Sequence, residues 1–231
     1  MPTHFRTGVT NTSVGENVYN LGLPDPAKWN FYFNDFHTYA AGDWTITETG
    51  AGSRANTAVD GGALLITNAG AENDNNQFQF KTAMLMPAAT KRCYFRIRFQ
   101  MSEATQSDFV AGTQITNTAA FTAATVTDGI YFYKDDGSTA VNIVIKKDDA
   151  AGKLIKTSLF TFAATTWYTL GWEYDGNSKL NVFKDDVQIW QMDASATYFP
   201  NLIQNLTFAV MNGDTNARSM TIDHVLIANE R

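Results

Sequence analysis

Side-chain character alternates along most of this chain, and that period of two decides what it can fold into. In CYFRIRFQM (93–101), Phe95, Ile97, Phe99 and Met101 fall on one face of an extended segment. Tyr94, Arg96, Arg98 and Gln100 fall on the other. In WYTLGWEYDGNSKLNVF (167–183), Tyr168, Leu170, Trp172 and Tyr174 share a face. DGNS then offers residues that tolerate positive φ, and a second strand returns through Leu180 and Val182. KDD follows, and VQIWQM makes a third strand, so this stretch reads as an antiparallel meander.

Further strands are expected at 30–36, 43–48, 62–68, 76–82, 108–116, 128–133, 141–147, 154–161, 203–212 and 218–228. They are punctuated by GAGS, DGG, GAENDNN, KDDGS, KDDAAGK and NGDTNA. No stretch of a dozen residues carries a helical period, and only SEATQSD (102–108) could form a short helical turn. Short strands at this spacing read as a two-sheet sandwich or barrel. The 231 residues are 44% hydrophobic and 13% aromatic, enough for a sizeable core. No Pro/Ser linker divides the chain after residue 31. The expectation is one β-sandwich domain, 31–231, preceded by an extended arm, 1–30. That arm is polar and rich in Gly, Asn, Thr and Pro, yet carries spaced large residues.

The last strand, MTIDHVLIANE, would be apolar on both faces. Met220, Ile222 and Leu226 would point one way, and Val225 and Ile227 the other. Strict alternation also places the neighbours Asp223 and His224 on opposite faces, so they should not pair.

Only 17% of residues are charged and the net charge is −6, against the clustered cations that nucleic acid needs. KRCYFRIRF (91–99) and KK (146–147) read as solvated strand edges. No apolar run approaches the ~18 residues of a membrane span, and no charged-then-apolar leader follows Met1. Neither a nucleic-acid nor a membrane partner is expected. Cys93 reads as a buried structural side chain, and His4, His37 and His224 as structural or surface groups. No G-x-S-x-G elbow is present. Glu173 and Asp175 in GWEYDG share a face, as a hydrolytic carboxylate pair must, but Asp175 opens the DGNS turn and no third acid follows. Acidic loops read first as turn chemistry, with the surroundings of Asp74, or of Asp135 and Asp136, as the cheapest place for a cation. No cofactor, metal or catalytic residue is expected, and the chain reads as a non-enzyme. Trp44, Trp167, Trp172 and Trp190 could stack on sugar rings, although large aromatics of a sandwich without disulfides belong mostly to its core.

The stretches HFRTGVTN, LGLPDPAKWNFYFNDFHTYAAGDWTI, GGALLITNAGAENDN, ATQSDFVAGTQITNT, VTDGIYFYKDDGS and SMTIDHVLIANER together resemble tailed-bacteriophage head decoration, or capsid cement, proteins with a concanavalin A-like (laminin G-like) jelly roll. The resemblance covers nearly the whole chain, and its specificity lies in the number and order of the stretches. The lectin metal-ligand pattern and the glycosidase acidic motif of related folds are both missing.

The resemblance implies an all-β, antiparallel two-sheet jelly-roll sandwich with an extended N-terminal arm. It implies a virion protein on the capsid exterior, made in the host cytoplasm, that binds the major capsid protein and staples neighbouring capsomers. It also implies a homodimer or homotrimer. On this reading the arm makes the partner contact: Leu21, Leu23 and Trp29 lay the chain onto the sandwich, and His4, Phe5, Arg6 and Val9 reach outward. The alternative is a carbohydrate-binding β-sandwich module on the virion surface.

Overall fold

A computed structural model describes residues 27–88, 90–122, 125–147, 152–195 and 197–231. The elements are β1 (Trp29–Asn34), β2 (Trp44–Thr49), β3 (Ser53–Thr57), β4 (Ala63–Thr67), β5 (Asn75–Phe80), β6 (Cys93–Met101), β7 (Ser107–Gln114) and β8 (Gly129–Lys134). They continue with β9 (Ala140–Lys147), β10 (Gly152–Thr161), β11 (Tyr168–Tyr174), β12 (Lys179–Lys184), β13 (Val187–Asp193), β14 (Asn205–Asn212) and β15 (Ser219–Glu230). One sheet has the order β13-β12-β11-β6-β15-β4-β3, with β1 paired to the C-terminal half of β15. The second has the order β10-β9-β8-β7-β14-β5-β2, and every pairing is antiparallel.

The period of two builds the core directly. Phe95, Ile97, Phe99 and Met101 are all buried on the inner face of β6, and Tyr94, Arg96, Arg98 and Gln100 are half-buried on its outer face. At one end, Phe78 and Phe208 are register partners whose rings stack at 5.0 Å, with Trp44 edge-on to Phe208 at 5.0 Å. At the other, Phe99 of the first sheet meets Phe109 of the second at 5.0 Å, and Phe162 caps both. Each such ring contributes roughly 1.5–3 kcal/mol on burial, alongside the Ile, Leu, Val and Met side chains of the same core.

Turn chemistry acts where it was expected. The Asp175 carboxylate accepts the N–H groups of Asn177, Ser178 and Lys179 at 2.7, 2.8 and 3.0 Å, and Gly176 takes φ +78°. In the β12–β13 hairpin, Asp185 and Asp186 both take positive φ. The Asp185 carboxylate also accepts Thr169 N–H at 2.8 Å.

Three expectations change. Residues 102–106 form no helical turn. The Glu103 carboxylate instead accepts the N–H groups of Ala104 and Thr105 at 2.9 and 2.8 Å, a local bond that competes with helix. β3 occupies a stretch, SRANT, that reads as a turn and its surroundings. As an edge strand it pairs only with β4 and has no buried residue, so it needs no apolar alternation.

The third change is in β15. Ile222 pairs with Phe99, but the next pair is His224 with Arg98, so Asp223 is an extra residue in the ladder. This β-bulge resets the alternation. Met220, Ile222, Val225 and Ile227 are all fully buried, and Leu226 is half-buried on the outer face. The strand is therefore apolar on one face through two phases, not on both. The same bulge brings Asp223 and His224 together, contrary to strict alternation, with Nδ1 3.0 Å from Oδ2.

Candidate functional site

The outward face of the second sheet carries the most developed site. Alternation in FVAGTQ, GIYFYK and NIVIKK sends Phe109, Ile130, Phe132, Ile143 and Ile145 into the main core. It leaves Val110, Tyr131, Tyr133, Val144 and Lys146 on the opposite side. Residues 115–122 and 125–128, between β7 and β8, lie back over this face. Ala120, Phe121 and Val126 pack there against Val110, Tyr131, Val144 and Ala209, forming a second apolar cluster separate from the main core.

A ladder of side-chain amides holds the loop down. Gln77 Nε2 donates to the Asn117 carbonyl at 2.8 Å, and its Oε1 accepts Ala120 N–H at 2.7 Å. Gln79 Nε2 donates to the Ile115 carbonyl at 3.0 Å, and its Oε1 accepts Asn117 N–H at 2.9 Å. Asn117 Nδ2 then donates to Gln114 Oε1 at 3.0 Å. Each amide donates through one end and accepts through the other, so it satisfies loop backbone that would otherwise be buried without partners. β7 and β8 approach closely because Gly112 has no side chain: a Cβ there would lie 2.4 Å from the Ile130 carbonyl oxygen.

Beside the loop, a cleft of about 230 Å³ is lined by Phe121 and by residues of β9 and β10. Val110, Phe121, Tyr131, Tyr133, Val144 and Ile155 form its apolar wall, and Lys134, Asp135, Lys146 and Lys153 carry its charge. Burial raises the Tyr133 hydroxyl, and the Tyr131 hydroxyl more strongly, above the ordinary phenol value, so both are neutral donors at physiological pH. Burial also raises the Asp135 carboxyl, against the pull of Lys134. The Lys134 ammonium is committed to the structure, donating to the carbonyls of Ser107, Asp135 and Ser138. Behind it lies Asp108, 4% exposed, which accepts Asp136 N–H at 2.6 Å through Oδ1 while its Oδ2 has no hydrogen-bond partner. Burial first, then the charges of Asp136 and Asp135, push the Asp108 carboxyl up to about 6.

None of the residues expected to carry function is among the described lining of the cleft. His4, Phe5, Arg6, Val9, Leu21 and Leu23 fall outside the described residues. Trp29 opens β1, pairs with Glu230 and sets its ring 5.3 Å from Tyr94, both on the first sheet and not on the one that carries the cleft. Trp44 and Trp172 are buried in the main core, Trp190 packs against it, and Trp167 lies under the Arg98 guanidinium at 4.7 Å. None of the four lines the cleft. Glu173 sits on the outer face of the first sheet, and Asp175 is spent on its turn. The Asp74 carboxylate accepts Ala71 N–H at 2.9 Å, and among the described residues no three His, Cys, Asp or Glu side chains converge on one point. Lys146 is only 2% exposed, so KK is not simply a solvated edge. The alternation in GIYFYK was the available signal for Tyr131 and Tyr133. Nothing local announced that a loop would border them.

No family model matches the chain, and no curated protein matches it. Solved structures do. An endo-1,3-beta-glucanase from Streptomyces sioyaensis superposes with a TM-score of 0.65 at 12% identity, covering 90% of this chain and 99% of that one. The potassium-bound carbohydrate recognition domain of Emp46p gives 0.56 at 11%, covering 84% and 94%. An endo-beta-1,4-glucuronan lyase from Trichoderma reesei gives 0.59 at 12%, covering 85% and 94%. At such identities the likeness establishes the fold alone: a concanavalin A-like jelly-roll sandwich.

Proposed function

We propose that this chain is a carbohydrate-binding β-sandwich module, that the cleft on the second sheet is its saccharide site, and that it binds without catalysing. The observation that carries this reading is the placement of Phe121, Tyr131 and Tyr133 beside Asp135, Lys146 and Lys153 in one cleft. A sugar ring has an apolar C–H face and a rim of hydroxyls. It needs flat aromatic surface on one side and fixed polar groups on the other. The volume is below the ~300–1,000 Å³ of pockets for drug-sized ligands, which suits a ring or two of a longer glycan. Glycan-binding and glycan-cleaving proteins among the matched structures lend support through the shared sandwich.

Binding is favoured over hydrolysis by the charge of the cleft. Glycoside hydrolysis uses two carboxylates about 5–5.5 Å or 6.5–9.5 Å apart across the bond. The described lining holds one, Asp135. Titration calorimetry against a panel of neutral and acidic oligosaccharides tests the reading. Binding at micromolar to millimolar concentration, weakened about tenfold in a Tyr133→Ala variant, is expected; no binding by any member would overturn it.

A capsid-decoration role is the second reading, supported by the ordered sequence stretches from HFRTGVTN to SMTIDHVLIANER. None of the three structures named above is described as a virion protein. Cosedimentation of the chain with expanded capsids tests it, with a truncation lacking residues 1–26 as the control for the arm.

A further inference from the structure

Resting on the saccharide reading of the cleft, we infer that the ligand is an anionic sugar, with a carboxylate or sulfate seated against Lys153. β9 and β10 pair so that Lys146 and Lys153 are direct cross-strand partners, and both line the cleft. Like charges opposite one another in a ladder are unfavourable. Here they run side by side along one wall of a ligand-sized cavity, in a chain whose net charge is −6. Lys146 has contacts of its own, so the inference turns on Lys153, which is exposed and sits beside it at the cleft.

The remaining charges sharpen the class. Lys134 also lines the cleft, but its ammonium is taken up by three carbonyl oxygens and serves the fold. Asp135 is the one described carboxylate of the lining, so it would repel a uniformly anionic ligand and accept hydrogen bonds from hydroxyls. A ring with one acidic substituent and several hydroxyls suits both ends. Its acid group meets Lys153, its hydroxyls meet Asp135, and its C–H face lies on the tyrosines. The walls are apolar, which lowers the local dielectric and strengthens a charge-assisted bond relative to one on open surface.

The test compares three oligosaccharides of equal length by calorimetry: a neutral galactose oligomer, the same oligomer with a single galacturonate residue, and the same oligomer carrying a single sulfate. At low salt, at least one anionic form should bind roughly tenfold more tightly than the neutral one, and the advantage should shrink as salt rises. Whichever anionic form binds better identifies the acid group. Lys153→Gln should abolish the advantage while leaving the thermal midpoint unchanged, with Lys153→Arg restoring it. Equal binding of neutral and anionic forms would overturn the inference and leave the saccharide reading standing. No binding by these three, nor by any other member of the oligosaccharide panel, would overturn both.

Discussion

His224 Nδ1 lies 3.0 Å from Asp223 Oδ2, although the two residues are consecutive in one strand. Neighbours in a regular strand point to opposite faces. They meet here because Asp223 is an extra residue in the β15 ladder, and both side chains stay on the outer face. Arg98 Nη1 completes the group, 2.9 Å from the same Asp223 oxygen. The bulge serves the core: it lets Val225 and Ile227 follow Met220 and Ile222 inward without a register slip.

Deletion of Asp223 should therefore be tolerated. It removes the extra residue and restores simple alternation, with Ile222, Val225 and Ile227 still inward. The loss is the ion pair with Arg98, which is half-exposed and contributes about 0–1 kcal/mol. Deletion of Thr221, two residues earlier, puts the bulge out of step with the core and should abolish folding. Circular dichroism and thermal melts of both variants check the contrast; equal damage would contradict it.

Asp108 should make stability fall as pH rises. Its carboxyl is raised to about 6 in the folded state, by burial first and then by Asp136 and Asp135, while Lys134 and the Asp136 N–H oppose the shift. A raised folded pKa means the protonated form is the favoured one in the fold. The stabilisation is complete below the unfolded value of ~4 and is lost as pH climbs through about 6. Asp108→Asn, which can still accept from Asp136 N–H, should gain roughly 1 kcal/mol at pH 7.5 and nothing at pH 4, after discounting for solvent screening. Melts at the two pH values read this; the same change at both would refute it.

Gln79→Leu should release the loop. It severs the bonds to Ile115 and Asn117, and also a 3.0 Å bond from Nε2 to Thr207 Oγ1, leaving buried loop backbone without partners. A loss of roughly 1–3 kcal/mol is expected. Hydrogen exchange should quicken at 115–122 more than at 205–212, the strand beneath.

Tyr133→Ala should weaken saccharide binding about tenfold, since a stacked ring and its hydroxyl leave the cleft together. Trp167→Ala should leave binding unchanged, because Trp167 lies against Arg98 on the first sheet. Calorimetry on the two variants separates cleft aromatics from the other aromatics of the sandwich.

Gly112→Ala should cost about 1–3 kcal/mol. The new methyl meets the backbone of Ile130 and Tyr131, at 2.4 Å and 2.5 Å, and neither can rotate away. Thermal denaturation checks it.

Local periodicity and turn chemistry were enough to read the architecture from sequence. CYFRIRFQM, YTLGWEY and GIYFYK each show which side chains a strand must bury, and DGNS shows where a hairpin closes, because both effects act within a few residues. Four features came only from tertiary structure. β3 is held by one neighbour and buries nothing, so no pattern marks it. The β15 bulge follows from matching β6 on one side and β4 and β1 on the other. Gln77 and Gln79 look like polar surface until a loop some 40 residues away lies down on them. Lys146 looks solvated until β10 pairs beside it and the fold buries it. In each case the deciding energy is a contact between segments distant in sequence. A strand's own pattern says which face is apolar; what covers the other face depends on which segments arrive there.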